Sequence, residues 1–216
     1  MAIDRKLHKY TLGEELVSSI SHGAGAVLAV IGTALGSVYA YNFGAAAFVS
    51  VLLFGIFMAL LYAVSTVYHS LAANGGKKVM RILDHCFVYV LIIATYAPYC
   101  LVALSQPTGL ILYIINCSIG VIGITFTAID MKKFGKFAMT CYILMGWLII
   151  FALNSLVKNV PAGGILLLLL GGAAYTVGAV IYGLGRKLRY AHSVWHFFVL
   201  AGSMLHYFSV MLYVIR

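Results

Sequence analysis

The feature that most constrains this chain is a set of long stretches that carry no charge. Five intervals contain no Asp, Glu, Lys or Arg: residues 16–76, 85–129, 137–157, 159–185 and 190–215. A helix needs about 20 apolar residues to cross a bilayer, so the first two intervals each hold two crossings and the other three hold one apiece. Only 9% of the 216 residues are charged and 63% are hydrophobic, which excludes a soluble domain.

Turn-forming residues divide the two longer intervals into single spans, at residues 42–44 and 105–109. The sequence therefore predicts an all-α integral membrane protein: one domain over residues 1–216, folded as a seven-transmembrane helix bundle. Residues 1–16 form its amino-terminal segment, and no cleavable signal peptide is expected. The predicted spans are 17–41, 45–72, 81–104, 109–129, 137–156, 162–184 and 191–214.

The distribution of Lys and Arg predicts the orientation of the bundle. Twelve of the 14 basic residues lie at residues 5–9, 77–81, 132–136 and 186–189, and only Lys158 and Arg216 lie on the opposite side. Because basic loops stay in the cytoplasm, we expect a cytoplasmic amino terminus and a carboxyl terminus outside. The net charge of +9 then belongs to loops that face anionic lipid headgroups, and it requires no nucleic-acid partner.

Polar side chains from four predicted spans collect in one layer near the cytoplasmic face. They are Glu15, Ser19 and His22 at the cytoplasmic entry of span one, Ser65 and His69 in span two, Asp84 and His85 in span three, and His192 and His196 in span seven. Ionisable side chains inside a membrane are costly and indicate a functional site. His206 lies about 15 Å deeper than His196 on the same helix, so we expect it to be packed and hydrogen-bonded.

The spacing of the histidines predicts a metal site. His192 and His196 are four residues apart and so share a helix face, and His69 supplies a third imidazole at the same depth. Three imidazoles with one open position are typical of catalytic zinc, and no thiolate accompanies them to favour copper or iron. Asp84 is the candidate base toward an attacking water, and Ser65 is the candidate hydrogen-bond donor beside it. The alternative is that the histidines only bond across helices or reach the interface.

Five segments spread over nearly the whole chain match the motifs of a known family. They are Glu15-x3-Ser19-x2-His22-Gly23, Ser65-Thr-Val-Tyr-His69-Ser70, Arg81-Ile-Leu-Asp84-His85, Ala94-Thr-Tyr-Ala-Pro98 and His192-Ser-Val-Trp-His196-x5-Gly202-Ser203-x2-His206. Together they resemble the haemolysin III family, the bacterial branch of the progestin and adiponectin receptor (PAQR) group, in a superfamily that includes alkaline ceramidases.

The resemblance implies a seven-helix bundle in a bacterial plasma membrane, with Zn²⁺ near the cytoplasmic side. It implies His69, His192 and His196 as the zinc ligands, with Ser65 and Asp84 next to the metal. Glu15, Ser19 and His22 would form a cluster beside the site, either as a salt-linked or hydrogen-bonded helix start or as catalytic groups. His85 would pack or hydrogen-bond behind Asp84.

Three functions are compatible with these residues. The first is a ceramidase-like, zinc-dependent hydrolase of a lipid amide or ester bond that serves membrane lipid homeostasis, with membrane lipids as environment and possible substrate. The second is a non-enzymatic sensor or regulator stabilised by zinc. A haemolytic pore ranks third, because no span has a repeated polar stripe. No retinal is expected, since span seven has no Lys, and no G protein, since the predicted orientation is inverted. The substrate and the oligomeric state stay open.

Overall fold

The computed structural model describes residues 10–184 and 188–216, and all regular structure within them is helical. The helices are α1 (Leu12–Tyr41), α2 (Ala45–Ser70), α3 (Gly75–Pro98), α4 (Thr108–Trp147), α5 (Leu153–Asn159), α6 (Ala162–Leu184) and α7 (Ala191–Ser209). Single π-helical turns, Tyr99–Ala103 and Val210–Val214, extend α3 and α7, and a 3-10 turn, Leu148–Ala152, joins α4 to α5. The predicted all-α class is confirmed. Part of the predicted amino-terminal segment, residues 1–9 with His8, and the basic residues Arg186 and Lys187 lie outside the described residues.

Within those residues, six helical segments are long and apolar enough to cross a membrane. One of them, Thr108–Asn159, has 52 residues and contains both the fourth and the fifth predicted span. Its backbone leaves the helical conformation at Asp130 (φ −157°, ψ 94°), where two helical pieces meet. Asp130 Oδ1 accepts hydrogen bonds from the backbone N–H groups of Lys132 (2.9 Å) and Lys133 (3.0 Å), as a residue at a helix start does. The count of seven spans and the orientation stay predictions.

Two helices begin earlier than the hydrophobic pattern indicates, because capping side chains set their starts. Thr11 and Glu14 form a capping box at the start of α1. Asn74 accepts a hydrogen bond from the backbone N–H of Lys77 at the start of α3 (2.9 Å). The assignment of Lys77 to the loop between spans two and three was wrong: it lies inside α3 and is buried. The predicted turn at Gly44 is present, and its φ of +96° suits a residue without a side chain.

The helices pack in a ring around an apolar interior. α1 contacts α2 and α7, α3 lies between α2 and α4, and α6 packs against α7. Large apolar side chains also cover the outside, as on α1, where Val38 is 74% exposed. This is the surface expected of a helix that faces lipid. The last turn of α2 and the first turns of α1, α3 and α7 meet at one end of the bundle, and that end carries the polar layer.

Candidate metal centre

The three predicted ligands, His69, His192 and His196, meet in one buried cluster. His192 Nε2 lies 3.1 Å from His69 Nε2 and 3.2 Å from His196 Nε2. The three ring centroids are 4.8 to 5.0 Å apart and so form a nearly equilateral triangle. One ligand nitrogen from each ring lies within 4.8 Å of the others. The cluster could therefore hold a metal ion.

The outer hydrogen bonds of two of these rings orient their inner nitrogens. His69 Nδ1 lies 2.6 Å from Glu15 Oε2, and His196 Nδ1 lies 3.2 Å from the carbonyl oxygen of Ser18. Carbonyl and ionised carboxylate oxygens only accept, so both Nδ1 atoms carry the hydrogen. Both Nε2 lone pairs then face His192 Nε2, which can donate one proton to only one of them. If all three rings are neutral, the lone pairs of one of the two close Nε2 pairs point at each other and repel. A cation bound by all three rings removes this repulsion.

Glu15 is held from its other side by a residue that the sequence analysis missed. Its Oε1 accepts a 2.6 Å hydrogen bond from Lys77 Nζ, which also donates to the carbonyl oxygen of Leu71 (2.9 Å). Glu15 was predicted to lie beside the site, and the structure places it directly behind His69. A signal for Lys77 was present in the sequence: Asn74 caps the helix that carries it.

His22 lies on the face of a candidate ligand. Its ring is stacked on the His196 ring, with centroids 3.7 Å apart and planes 17° apart. It is buried, and neither ring nitrogen has a hydrogen-bond partner among the described residues. His22 is not in the group of converging ligand atoms, so it packs against the centre.

The two candidate serines have different surroundings. Ser19 Oγ lies 2.7 Å from Ser70 Oγ and donates to the carbonyl oxygen of Thr66 (3.4 Å), which ties α1 to α2. Ser65 is fully buried one helical turn before His69, and its Oγ has no hydrogen-bond partner within the part of the chain that is described. The catalytic role of Ser65 stays a prediction.

Asp84 and His85 lie on the α3 side of the centre. Asp84 is buried and, together with His192, lines a small cavity that is partly open, with about 300 Å³ of empty space including the open part. It is outside the group of converging ligand atoms, and its role as a base stays a prediction. His85 donates from Nδ1 to the carbonyl oxygen of Arg81 (2.9 Å), which leaves Nε2 to accept from Tyr182 (3.2 Å). Its Nδ1 is also 3.7 Å from Asp84 Oδ2.

Tyr10 is a second residue that the sequence analysis missed. Its ring is stacked on His192, with centroids 5.0 Å apart and planes 20° apart. Burial raises the pKa of Tyr10 well above its ordinary value, so the phenol stays neutral. Tyr10 immediately precedes Thr11, the residue that caps α1.

A second, larger cavity adjoins the one beside Asp84. It is partly open to the surroundings, and its empty space of about 840 Å³ includes this open part. It is largely apolar and lies between α3, α4, α6 and α7. The two cavities share Val88, Tyr142 and Trp195 as lining residues. His206 also contributes to the wall of the larger cavity. The prediction for His206 is confirmed, because it is buried and donates from Nε2 to the carbonyl oxygen of Leu168 (3.0 Å).

Comparison with known proteins gives a consistent result over the whole chain. The family model "Haemolysin-III related" matches residues 10–207. "Hemolysin-3" of Bacillus cereus is 40% identical over 203 residues, which cover 94% of this chain and 92% of that protein. "Hemolysin-3 homolog" of Bacillus subtilis (strain 168) is 36% identical over 208 residues, 96% of this chain and 97% of that protein. The human "Monocyte to macrophage differentiation factor" is 24% identical over 97% of this chain and 88% of its own length. No solved structure gives a significant match.

Proposed function

The chain belongs to the Haemolysin-III related family, and we propose that it is a zinc-dependent hydrolase of an amide or ester bond in a membrane lipid, acting in membrane lipid homeostasis. It is a multi-pass bacterial membrane protein. The observation that carries the hydrolase proposal is the position of Asp84. This buried carboxylate shares a small cavity with His192, and that cavity adjoins a much larger apolar one.

The proposed topology has seven spans, a cytoplasmic amino terminus and the histidine cluster near the cytoplasmic face. The 52 residues of Thr108–Asn159 would extend for about 78 Å as a straight helix, more than twice the thickness of a bilayer core. In the proposed topology the chain would reverse at Asp130, where the backbone leaves the helical conformation, and so divide this segment into two spans. This reversal would also place Lys132, Lys133 and Lys136 at the membrane surface, on the side where basic loops are retained.

Zinc fits the histidine cluster in both chemistry and size. Zinc bound to imidazole at about 2.0 to 2.1 Å in a tetrahedral arrangement separates its ligand nitrogens by about 3.3 Å. Two of the three Nε2 to Nε2 distances here are 3.1 and 3.2 Å. His69, His192 and His196 would hold the ion, and Glu15 would orient His69 from behind. When bound, zinc supplies Lewis-acid activation of water and of a carbonyl group.

The protein residues would bind the substrate and move the proton. The apolar cavity would take an acyl chain, so that the polar bond near the headgroup lies beside Asp84 and His192. Asp84 would accept the proton of the attacking water and return it to the leaving amine or alcohol, because it is the carboxylate that lines the smaller cavity. The aromatic walls, including Tyr142 and Trp195, would exclude bulk water from the site.

The test is hydrolysis by purified protein in lipid nanodiscs, measured by mass spectrometry over a panel of amide and ester lipids. We expect the wild type to release a fatty acid from at least one lipid, and both H196A and D84N to release none. D130N is the matched control, because it makes the same change at an aspartate far along the chain and keeps the capping ability of the side chain. A wild type that retains zinc and cleaves no lipid in the panel would falsify the hydrolase proposal.

A zinc-stabilised sensor or regulator is the second candidate. The observation that favours it is the origin of the polar groups: the cluster and its support come from α1, α2, α3 and α7. A bound metal would thus tie four helices together whatever its chemistry. Asp84 distinguishes the two functions, because a sensor needs no base beside the metal. A D84N strain with an intact cellular phenotype would favour the regulator.

A further inference from the structure

A buried ion pair lies directly behind the candidate ligand of α2. Lys77 on α3 donates to Glu15 Oε1, and the other oxygen of Glu15 accepts from His69 Nδ1; both distances are 2.6 Å. Lys77 Nζ also lies 5.3 Å from the centre of the Tyr68 ring. Three helices are thus connected in series by two short, charge-assisted contacts that end on a ring of the metal centre.

The burial of this pair is a cost that the structure has to offset. The side chain of Lys77 is 7% exposed and that of Glu15 is 15% exposed. Taking both charges out of water is unfavourable unless the partners satisfy each other closely. Here Lys77 has an anionic partner, a backbone carbonyl partner at Leu71 and an aromatic face at Tyr68. The ammonium group is therefore held at one place, and it fixes one oxygen of Glu15.

Fixing one oxygen determines what the other can do. With Oε1 held by Lys77, Oε2 is directed at His69 Nδ1. A carboxylate in that position selects the ring tautomer with a free Nε2 lone pair and makes that nitrogen a better donor to a metal. The neighbouring charged residues do not take part. Glu14 accepts from the backbone N–H groups of Thr11 and Tyr190, and Lys78 makes no ion pair with any described residue.

We infer that Lys77 and Glu15 are positioning residues that set the metal affinity of the centre by orienting His69. This inference rests on the metal-binding part of the proposed function and does not depend on the hydrolase reaction. It assigns Lys77 a role at the metal centre.

The experiment measures zinc affinity by competition with a chromogenic chelator, using full-length protein in detergent. Loss of a hydrogen-bonding group behind a metal ligand typically weakens binding by about 10- to 100-fold. We expect a loss in this range for E15Q. For K77M, which leaves the carboxylate present but released on one side, we expect a smaller loss of about 3- to 10-fold. K77R should retain most of the affinity, and K78M, the matched control at the next position, should bind as the wild type does.

A charge swap distinguishes orientation of His69 from simple attachment of α1 to α3. The double variant E15K/K77E restores an ion pair between the two helices but leaves His69 without a carboxylate at position 15. We expect it to recover the thermal stability measured in the presence of chelator and not the zinc affinity. Recovery of both would show that the pair acts only as a link between helices, and the inference would be wrong.

The possible failures are distinguishable. If wild-type protein binds no zinc, the metal-binding part of the proposed function is wrong, and the inference falls with it. If the wild type binds zinc and E15Q and K77M bind it equally well, the inference alone is wrong. Circular dichroism and elution as a monodisperse species establish that each variant is folded, and any variant that fails this check is replaced by E15D or K77R, for which intermediate and near-wild-type affinities respectively are expected.

Discussion

His196 and His206 lie on the same helix, ten residues apart, and both are buried, yet they have different surroundings. The Nε2 of His196 faces another imidazole, and His22 covers its ring. The Nε2 of His206 donates to a backbone carbonyl of α6, and its ring lies against Tyr175. Burial and residue type are thus the same in the two regions. What differs is the convergence of polar groups from other helices, and this convergence marks a candidate site.

The largest expected effect is that of removing the imidazole of His196, the first of the two compared histidines. H196A removes one of three converging nitrogens, so its zinc affinity should fall by more than about 100-fold, beyond the loss expected for a supporting residue. Chelator competition measures the fall. H206F should bind zinc as tightly as the wild type. Equal affinities for all three proteins would remove the distinction between the two regions.

Zinc should also stabilise the folded protein only where the cluster is intact. At a free zinc concentration 100 times the dissociation constant, binding to the native state alone adds about 2.7 kcal/mol to the free energy of unfolding. We expect the thermal midpoint of the wild type and of H206F to rise on zinc addition and that of H196A to stay constant. A rise of similar size in H196A would indicate that zinc binds elsewhere.

Substitution of His206 should lower the stability of the protein and leave its metal binding unchanged. H206F removes the hydrogen bond to the Leu168 carbonyl and fills the space with an apolar ring, so we expect a loss of about 1 kcal/mol in the free energy of unfolding. Denaturant titration in the presence of chelator measures this loss. The comparison would be weakened if H206F lowered zinc affinity.

The smallest expected effect is at Ser19, which lies at the same end of the bundle as the three histidines. Its hydroxyl joins α1 to α2 through Ser70 and Thr66, and within the described residues these hydrogen bonds do not involve the three histidines. S19A should cost about 0.5 to 1 kcal/mol in stability and leave zinc affinity unchanged, as thermal unfolding and chelator competition can measure. A loss of affinity in S19A would extend the centre to a residue that the structure places outside it.

The histidine cluster could be predicted because membrane topology converts sequence position into depth. Once the spans were placed, His69 and the pair His192 and His196 fell in one layer, and the four-residue spacing put the pair on one face. His206 was separated from them by the same depth argument. Given the order and direction of the spans, these predictions depend on the rise of a helix and the thickness of a bilayer, and both are nearly constant.

Lys77 and Tyr10 could not be found in that way, because their roles depend on helix starts. Hydropathy marks where a helix becomes apolar, whereas Asn74 and Thr11 mark where it begins. Beginning α3 at residue 75 places Lys77 two turns before Asp84, on the same face of the helix. The contact of Lys77 with Glu15 further requires that the first turns of α1 and α3 approach each other across the end of α2, which the order of the spans does not specify. Asp130 is a different case, because its break lies between the fourth and fifth predicted spans, where charged residues already interrupt the apolar sequence.

X-ray absorption spectroscopy of the zinc-loaded wild type tests most directly the claim that the three histidines hold the metal. The account predicts three imidazole nitrogens at about 2.0 to 2.1 Å and one further light-atom neighbour. This imidazole signal should be lost in H196A. A sulfur neighbour at about 2.3 Å, which would have to come from one of the four cysteines, or an unchanged spectrum in H196A, would contradict it.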